Sequence, residues 1–214
     1  VLGDISGSQY EFTRPADFDW KHCELFTEKC RFTDDTVMTL AVKKAVLEEK
    51  DLSKVMHEVG RYYPNSGYGR KFYRWMYGKS PKPYNSLGNG SAMRVAFVGE
   101  YYEELHDVVR VAEKTAAVTH NHPEGIKGAV VTAVCIWMAR HGKSKKQIYD
   151  YVLEQYPAGQ YEYSIDRSLD ELAPVYRWNE TCMGSVSPAM RCFYESDSYE
   201  SFLRNVFRLK CDSD

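Results

Sequence analysis

An all-α fold is the class that this 214-residue sequence predicts, and three observations support it. Apolar residues recur three and four positions apart in several long segments, which places them on one face of a helix. Alternating apolar and polar runs, the pattern of a half-buried strand, are scarce. The intervening segments are rich in Gly, Pro, Asn and Ser, as connecting loops usually are. The length suits one domain with a substantial core, so we expect a single domain over residues 1–214.

The first part of the chain contains two predicted elements. Gly3 and Gly7 lie in the same short segment, which indicates an element that packs closely against a neighbour. An apolar stripe at helical spacing then follows an acidic pair directly and consists of Met38, Ala41, Val42, Ala45 and Val46. This stripe predicts a helix that begins close to the acidic pair.

The second half of the chain carries the longest predicted helices. They cover Leu105–Ala116, 123–141, 144–152, 184–195 and 199–208. Pro123 suits the first turn of a helix. Gly142 is predicted to lie just beyond the C-terminal end of that helix, and Ser144 is predicted to be the N-cap of the next one. Residues 176–182 form the segment for which an extended conformation is expected.

The overall composition excludes several function classes. The formal net charge is -2 at pH 7, whereas general nucleic-acid-binding proteins usually carry a basic excess, so we expect no specific nucleic-acid partner. No run approaches the ~18 apolar residues of a membrane span, and no basic-then-apolar leader opens the chain. The six cysteines include no CxxC pair and no zinc-type spacing, which favours a reduced, cytoplasmic protein. Because the chain begins at Val1 and stops at Asp214 inside an acidic motif, we expect both ends to be trimmed.

The stretch RFTDDTVMT places two adjacent carboxylates, Asp34 and Asp35, between two threonines. Thr33 can cap the helix that follows, and acidic residues in a first turn interact favourably with the helix dipole. One acceptor would suffice for a cap, however, and two carboxylates with a hydroxyl also form a set of hard oxygen ligands suited to Mg²⁺ or Mn²⁺. Capping and metal binding both remain open for this stretch.

Further acidic residues lie near the two ends of the chain. Asp212 and Asp214 in KCDSD are two residues apart, so an extended segment would present both carboxylates on one side. The alternative is a disordered acidic tail, although a predicted helix leads directly into this motif. Glu11 in GDISGSQYEF is either a buried acid directed into a cleft or an exposed surface acid.

Two polar loops contain residue types that can hold an anion or a sugar. NSLGNGSAMR contains Gly88 and Gly90, which permit a tight turn with accessible backbone N–H groups before a helix. THNHPEG contains His120 and His122, which can donate hydrogen bonds to phosphate or ribose oxygens. The alternatives are a simple connecting turn and two histidines that satisfy local backbone groups. The spacing of the histidines is unsuited to a helical zinc site.

Taken in order, these motifs resemble those of the ADP-ribosylglycohydrolase family, which includes the dinitrogenase reductase-activating glycohydrolase and the ADP-ribosylarginine and ADP-ribosylserine hydrolases. The resemblance runs from Gly3 to Asp214, and within the family the sequence looks most like the compact bacterial branch. It is carried by the motifs GDISGSQYE, FTDDT, GNGSAMR, THNHPEG, GSV and the final DSD. The resemblance implies an orthogonal bundle of α-helices with a binuclear magnesium site, for which Mn²⁺ is an alternative ion.

The resemblance also implies roles for individual residues. Glu11 and Asp35 are the expected catalytic residues, and Glu11 matches an acid that lies near the metals. The expected metal ligands are Thr33, Asp34, Asp35, Asp212 and Asp214. The residues that match the loops around the diphosphate, the distal ribose and the rest of the ADP-ribose cleft are Asn85, Ser86, Leu87, Gly88, Asn89, Thr119 and His120.

The reaction implied by the resemblance is hydrolysis of the N- or O-glycosidic bond at C1″ of the distal ribose, which frees an acceptor side chain. The expected partner is an ADP-ribosylated protein or a small ADP-ribosyl conjugate, and we expect a monomer without membrane attachment. The sequence departs from the family pattern at one point. In the family a threonine follows D-x-D, and this sequence has no threonine after Asp214. A non-catalytic ADP-ribose-binding or structural protein of the same fold is therefore the alternative hypothesis.

Overall fold

The computed structural model describes residues 1–79 and 81–214, and helices are its regular elements. The helices are α1 (Leu2–Gly7), α2 (Asp34–Leu47), α3 (Leu52–Tyr62), α4 (Arg70–Tyr77), α5 (Ala96–Tyr101), α6 (Leu105–Ala117), α7 (Pro123–Arg140), α8 (Lys145–Gln155), α9 (Leu169–Leu172), α10 (Cys182–Tyr194) and α11 (Tyr199–Arg208). Across the two described ranges no segment forms a β-strand, which confirms the all-α prediction. Within the same ranges, no helix combines the length and the apolar character that a membrane crossing requires.

The chain folds into two compact units. The first unit comprises Val1–Phe32 and Ser144–Asp214, and the second comprises Thr33–Lys143. The first unit is therefore built from both ends of the chain, which brings the N-terminal segment and the C-terminal segment into one core.

The first unit has α10 at its centre, packed against α8 and α11, while α1 packs against α11. Its larger cluster of buried side chains contains Tyr163, Leu169, Leu172, Tyr176, Cys192 and Leu209. A second cluster of Tyr10, Leu203 and Phe207 joins the segment after α1 to α11. Burial of apolar side chains is the main stabilising contribution here, at about 25 cal/mol per Å² removed from water. This second cluster fixes the two chain segments that carry Glu11 and Asp212.

The second unit packs α6 against α7, α2 against α3 and α5 against α7. Its core contains Val37, Met38, Ala41, Val55, Met56, Phe72, Trp75 and Met76. Gly99 permits the close approach of α5 to α7, because a methyl group at this position would overlap the backbone carbonyl of Ala133. The unit thus holds the N-terminus of α2 and both polar loops on one frame of packed helices.

Several helix ends lie where the sequence predicts them, because capping depends on neighbouring residues alone. Thr33 caps α2, and Ser144 caps α8 in a capping box with Gln147. Gly142 follows the cap residue of α7 with φ at +71°, a left-handed conformation that favours glycine. The predicted helix 199–208 coincides with α11.

The segment 176–182, for which an extended conformation is expected, forms no strand of its own, and its residue Thr181 has an extended backbone with φ at -93° and ψ at 150°. The side chain of Asn179 accepts hydrogen bonds from the backbone N–H of Thr181 at 2.9 Å and from its hydroxyl at 2.7 Å. Thr181 in turn caps α10, which therefore begins at Cys182. The side chains of Asn179 and Thr181 thus bond nearby backbone groups, as Asn and Thr often do before a helix.

Neither α3 nor α4 was predicted from the sequence. The helix α3 carries a helical stripe of Leu52, Val55, Met56 and Val59, so its signal was present in the sequence. The helix α4 is harder to predict, since its buried face consists of Phe72, Trp75 and Met76 among basic residues and tyrosines. Which aromatic rings are buried in α4 depends on contacts with α3.

Candidate functional site

Three carboxylates from the two ends of the chain converge in the first unit. Glu11, Asp212 and Asp214 each offer one oxygen, and these oxygens lie within 4.8 Å of one another. All three residues are half-buried. Opposite ligands of an octahedral Mg²⁺ are about 4.2 Å apart, so oxygens at such separations can share one ion after small adjustments. The donor set fits a hard divalent cation.

Electrostatic repulsion between the three carboxylates disfavours their close approach. Two carboxylate oxygens 4.8 Å apart repel by about 1 kcal/mol in water and about 3.5 kcal/mol at an effective dielectric constant of 20. Asp212 also affects Tyr176, whose pKa is raised mainly by burial and then by Cys211 and Asp212. A divalent cation held by Asp212 and Asp214, close to Glu11, would offset the mutual repulsion of the three carboxylates.

Gly7 fixes the position of the segment between the two aspartates. The hydroxyl of Ser213 donates to the backbone carbonyl of Gly7 at 3.2 Å, and a methyl group on Gly7 would overlap the carbonyl of Ser213. Gly3 is less restricted, because a β-carbon there would meet the Tyr199 hydroxyl at an ordinary contact distance of 3.6 Å. The close packing expected at this helix is therefore found, and glycine is required at position 7.

Arg14 links the two segments that supply the cluster. Its Nε donates to the carbonyl of Tyr10 at 3.2 Å, and its Nη1 donates to the carbonyl of Phe207 at 2.9 Å. The rings of these two residues also pack edge to face, with centroids 5.2 Å apart. Tyr10 precedes Glu11, and Phe207 lies just before the segment with Asp212. Sequence reasoning missed Arg14, since no local spacing relates it to either acidic residue.

The acidic pair of the second unit lies at the start of α2. The Thr33 hydroxyl accepts a hydrogen bond from the backbone N–H of Asp35 at 3.3 Å, so the cap acceptor is the threonine. The backbone N–H of Asp34 donates to the carbonyl of Ser66 at 2.6 Å. Thr33 is buried, and both aspartates are half-buried. The predicted capping role of Thr33 is therefore confirmed.

The loop between α3 and α4 borders the Asp34 carboxylate. Gly67 has φ at +98°, and a β-carbon at this position would lie 3.3 Å from Asp34 Oδ1. Burial, followed by the charge of Asp34, raises the pKa of Tyr68. Glycine is needed at position 67 both for its left-handed backbone and for the close approach to the carboxylate.

The predicted ligand loop, Asn85 to Asn89, adjoins the segment that contains Thr119. The Asn85 backbone N–H donates to the side chain of Asn121 at 2.8 Å, and the Ser86 N–H donates to the Thr119 carbonyl at 3.5 Å. The left-handed residue of this loop is Asn85, with φ at +54°.

Neither glycine of the loop has the positive φ that a glycine turn would favour, and Gly88 has φ at -64°. The Gly88 N–H donates to the Ser86 hydroxyl at 3.2 Å. The tight turn that the sequence permits here therefore forms without a left-handed glycine, and anion binding by its N–H groups stays a prediction. Asn89 begins a 3₁₀ turn, and its carbonyl accepts from the N–H of Ala92 at 2.7 Å, while Leu87 is half-buried.

A buried chain of hydrogen bonds holds His120. Arg94 is fully buried, and its Nη2 donates to the Thr115 carbonyl at 2.7 Å and to the Thr119 hydroxyl at 2.9 Å. That hydroxyl lies 2.7 Å from His120 Nδ1. Burial, followed by the charge of Arg94, lowers the pKa of His120 to about 3, so the ring is neutral at pH 7. Gly90 leaves room for the ring, because a β-carbon there would lie 3.2 Å from His120 Nε2.

The other histidine of this segment has a local structural role. His122 caps α7, and its Nδ1 accepts a hydrogen bond from the backbone N–H of Glu124 at 3.1 Å. Of the two alternatives left open by the sequence, local backbone bonding therefore describes His122.

Each unit gathers one part of the predicted site. The first unit brings together Glu11, Asp212 and Asp214. The second contains the predicted metal ligands Thr33, Asp34 and Asp35 and the predicted substrate-binding residues Asn85, Ser86, Leu87, Gly88, Asn89, Thr119 and His120. Sequence reasoning gave Arg94 no role, although a charged residue inside the apolar run AMRVAFV signals a buried polar contact.

Comparison with known proteins relates this geometry to a family. A family model described as ADP-ribosylglycohydrolase matches residues 1–214. The chain is 32% identical to ADP-ribosylhydrolase ARH3 of Mus musculus over 148 residues, which cover 60% of this chain and 39% of that protein. It is 28% identical to ADP-ribosylhydrolase ARH3 of Homo sapiens over 179 residues, which cover 69% and 49%. The chain thus spans less than half the length of these two curated relatives.

A solved structure described as an ADP-ribosylglycohydrolase-related protein complex has a similar fold. It superimposes with a TM-score of 0.72 at 21% identity and covers 99% of this chain and 78% of that chain. The likeness confirms the predicted fold class of the ADP-ribosylglycohydrolase type.

Proposed function

The chain belongs to the ADP-ribosylglycohydrolase family, and from this premise we propose that it hydrolyses the glycosidic bond between ADP-ribose and an acceptor side chain. The name of its relatives, ADP-ribosylhydrolase, supports this reaction class. The observation that carries the proposal in this chain is the convergence of the Glu11, Asp212 and Asp214 carboxylates within 4.8 Å. The substrate is an ADP-ribosylated protein or a small ADP-ribosyl conjugate.

The proposal includes a dependence on magnesium, with manganese as an alternative ion. Asp212 and Asp214 would hold one ion, and Thr33, Asp34 and Asp35 would hold a second. Both sets consist of hard oxygen donors without thiolate or imidazole, which is the ligand chemistry that Mg²⁺ and Mn²⁺ prefer. When bound, such an ion supplies Lewis acidity and a template for ribose hydroxyls and water.

Glu11 is the proposed acid–base residue. Departure of the acceptor from C1″ develops positive, oxocarbenium-like charge on the ribose, which a nearby carboxylate stabilises. A carboxylate in this position can also take a proton from water or return one to the leaving group. The Arg14 hydrogen bond to the Tyr10 carbonyl holds the backbone next to Glu11 in place for this task. Asp35 is the second proposed catalytic residue, at the start of α2.

The loop residues Asn85 to Asn89 and the pair Thr119–His120 are proposed to bind the ADP-ribose moiety. A neutral imidazole has one N–H donor and one acceptor nitrogen. With His120 Nδ1 next to the Thr119 hydroxyl, Nε2 is the nitrogen available for a ligand oxygen. This arrangement orients a polar ligand without adding a buried positive charge.

The test measures ADP-ribose release from peptides modified on arginine or on serine. We expect release in Mg²⁺, loss of release in EDTA, and recovery when Mg²⁺ or Mn²⁺ is restored. Glu11→Gln should lower the rate by about 10²- to 10⁴-fold, whereas Glu28→Gln, an exposed residue of the same unit, should have no effect. No release from either linkage by a folded, Mg²⁺-binding protein would refute the proposal. In that case, calorimetric binding of ADP-ribose without turnover would support the non-catalytic alternative.

A further inference from the structure

A basic surface lies on the second unit, around the end of α3 and along α4. Between Glu58 and Glu100 the sequence contains seven Lys or Arg residues and no Asp or Glu. Arg94 is buried, and the other six basic residues are exposed. The formal charge of the whole chain is -2, so the remainder of the chain is net acidic and this segment differs in sign.

Exposed tyrosines are interspersed among these basic side chains. Tyr62 is 78% exposed, Tyr63 41%, Tyr73 45% and Tyr77 46%. We name the exposed side chains of residues 61–63 and 70–77 the basic tyrosine surface. Its opposite face is anchored in the core, so the surface belongs to a packed element of the fold.

Contacts between α3 and α4 make this surface continuous. The Arg61 Nε donates to the carbonyl of Met76 at 2.7 Å, and its guanidinium lies over the Tyr77 ring at 5.6 Å from the centroid. The Tyr77 and Tyr73 rings have centroids 4.8 Å apart, and the neighbouring Tyr62 ring lies 5.0 Å from that of Tyr63. Aromatic rings and positive charges therefore lie side by side where α3 and α4 meet.

We propose that the basic tyrosine surface binds single-stranded nucleic acid without base specificity. Lysine and arginine contact phosphates, and exposed aromatic rings stack with bases regardless of base identity. An acidic peptide would match the charge but would leave the tyrosine faces unused. A duplex keeps its bases stacked inside, so the free base faces of a single strand complement this surface better.

The negative charge of the whole chain does not oppose this binding. At physiological ionic strength charges further apart than about 8 Å are largely screened from one another. A bound strand therefore experiences the positive charges of Arg70, Lys71 and Arg74 far more strongly than distant acidic residues. Local charge, rather than net charge, decides the affinity of this surface.

The first experiment measures fluorescence anisotropy with a labelled single-stranded oligonucleotide of about 12 nucleotides, in EDTA. Each neutralised phosphate contributes about -0.7 to the slope of log affinity against log salt concentration. For three to four phosphate contacts we expect a slope of about -2 to -3, which is a loss of about 20- to 50-fold between 50 and 200 mM salt. Because no ADP-ribose or metal is present, the result is independent of the proposed hydrolysis.

Charge reversal tests the basic residues. We expect Arg70→Glu/Lys71→Glu to weaken binding at least tenfold and to flatten the salt slope by about 1.4, since two phosphate contacts are lost. The matched control is Lys114→Glu/Lys143→Glu, which makes the same change in net charge at two other exposed positions of the second unit. The control should change the affinity less than twofold.

Removal of tyrosines tests base stacking. Tyr62→Ala/Tyr73→Ala should weaken binding by about fivefold or more for each base stack lost, with an unchanged salt slope. The matched control is Tyr101→Ala/Tyr199→Ala, which removes two tyrosines that are 48% and 51% exposed elsewhere. Circular dichroism of all variants verifies that each one is folded.

Three results would overturn the proposal. The first is an equal loss of affinity in test and control variants, and the second is the absence of a salt dependence. The third is competition by polyglutamate or by anionic lipid vesicles as effective as competition by unlabelled oligonucleotide. That third result would assign the surface to an acidic protein or to a membrane surface.

Discussion

Gly7 determines how closely α1 approaches the segment that carries the C-terminal carboxylates. A methyl group on this residue would overlap the backbone carbonyl of Ser213, which lies between Asp212 and Asp214. Backbone atoms cannot rotate away as a side chain can, so any larger residue must displace the segment itself. The identity of one residue without a side chain therefore controls the geometry of two ligand candidates.

We predict that Gly7→Ala weakens Mn²⁺ binding by about tenfold or more, as the loss of support for ligands typically does. The free energy of unfolding should fall by about 1–3 kcal/mol because of overpacking. Electron paramagnetic resonance titration with Mn²⁺ and urea unfolding measure the two effects. Gly3→Ala is the matched control in the same helix, since its β-carbon would meet an ordinary contact at 3.6 Å. Equal Mn²⁺ affinities of the two variants would contradict the prediction.

His120 makes the stability of the protein depend on pH. Its pKa is lowered from 6.5 to about 3, mainly by burial, so between these values the unfolded chain binds a proton that the folded chain does not. The contribution to stability is complete above about pH 6.5 and is lost as the pH falls towards 3. The slope is at most about 1.4 kcal/mol per pH unit.

We therefore predict that the free energy of unfolding falls between pH 7 and pH 5 by about 2 kcal/mol more in the native protein than in His120→Asn. Urea unfolding at the two pH values measures this difference. His106→Asn, at an exposed position, serves as the control and should keep the pH dependence of the native protein. The same pH dependence in His120→Asn and the native protein would show that His120 is protonated as easily when folded as when unfolded.

At the scale of helices, local signals were predictable and long-range partners were not. The cap of α8 at Ser144 and the glycine after α7 follow from neighbouring residues, so the sequence alone located them. The buried face of α4 depends on α3, so its start at Arg70 was missed. The role of Glu11 came from the resemblance, because residue spacing cannot place it beside Asp212, some 200 positions away along the chain.

Arg14 connects two separate segments of the chain, because its two donors bond the carbonyls of Tyr10 and Phe207. Arg14→Met keeps an unbranched stem but removes both donors, so we expect the free energy of unfolding to fall by about 2 kcal/mol. The affinity for Mn²⁺ should fall with it, as the two segments of the carboxylate cluster lose their link. Urea unfolding and Mn²⁺ titration measure both effects.

The control for this link is Arg177→Met. Arg177 is exposed and donates to the nearby carbonyls of Pro174 and Tyr176, so it makes the same kind of bond without joining distant segments. Its replacement should change neither stability nor Mn²⁺ affinity by a measurable amount. Comparable losses in both variants would mean that the Arg14 contacts are no more than local surface bonds.

At the scale of the whole molecule, the net charge does not show where positive charge is concentrated. The formal charge of -2 led us to expect no specific nucleic-acid partner, and that expectation stays a prediction. The acid-free segment between Glu58 and Glu100 nevertheless concentrates positive charge on one part of the second unit. Screening over about 8 Å makes such a segment act independently of the total. Composition alone could not reveal this, because it contains no information on position.

The six cysteines offer a measurement of both units at once. All are free thiols within the described residues; Cys23 and Cys30 are half-buried, while Cys135, Cys182, Cys192 and Cys211 are buried. Burial raises the pKa of Cys135 and of Cys211 to about 12, which suppresses the reactive thiolate.

We predict two kinetic phases when the folded protein reacts with a chromogenic disulfide reagent. Two thiols should react in the folded state, and four should react only as fast as the protein opens, because a buried thiol is inaccessible and protonated. Cys23→Ser/Cys30→Ser should abolish the first phase and leave the second unchanged. Since Cys135 lies in the second unit and the other three buried cysteines lie in the first, mass spectrometry of partly labelled protein reports the opening of each unit. Rapid labelling of all six thiols in the absence of denaturant would show that the cores described here are not closed to solvent.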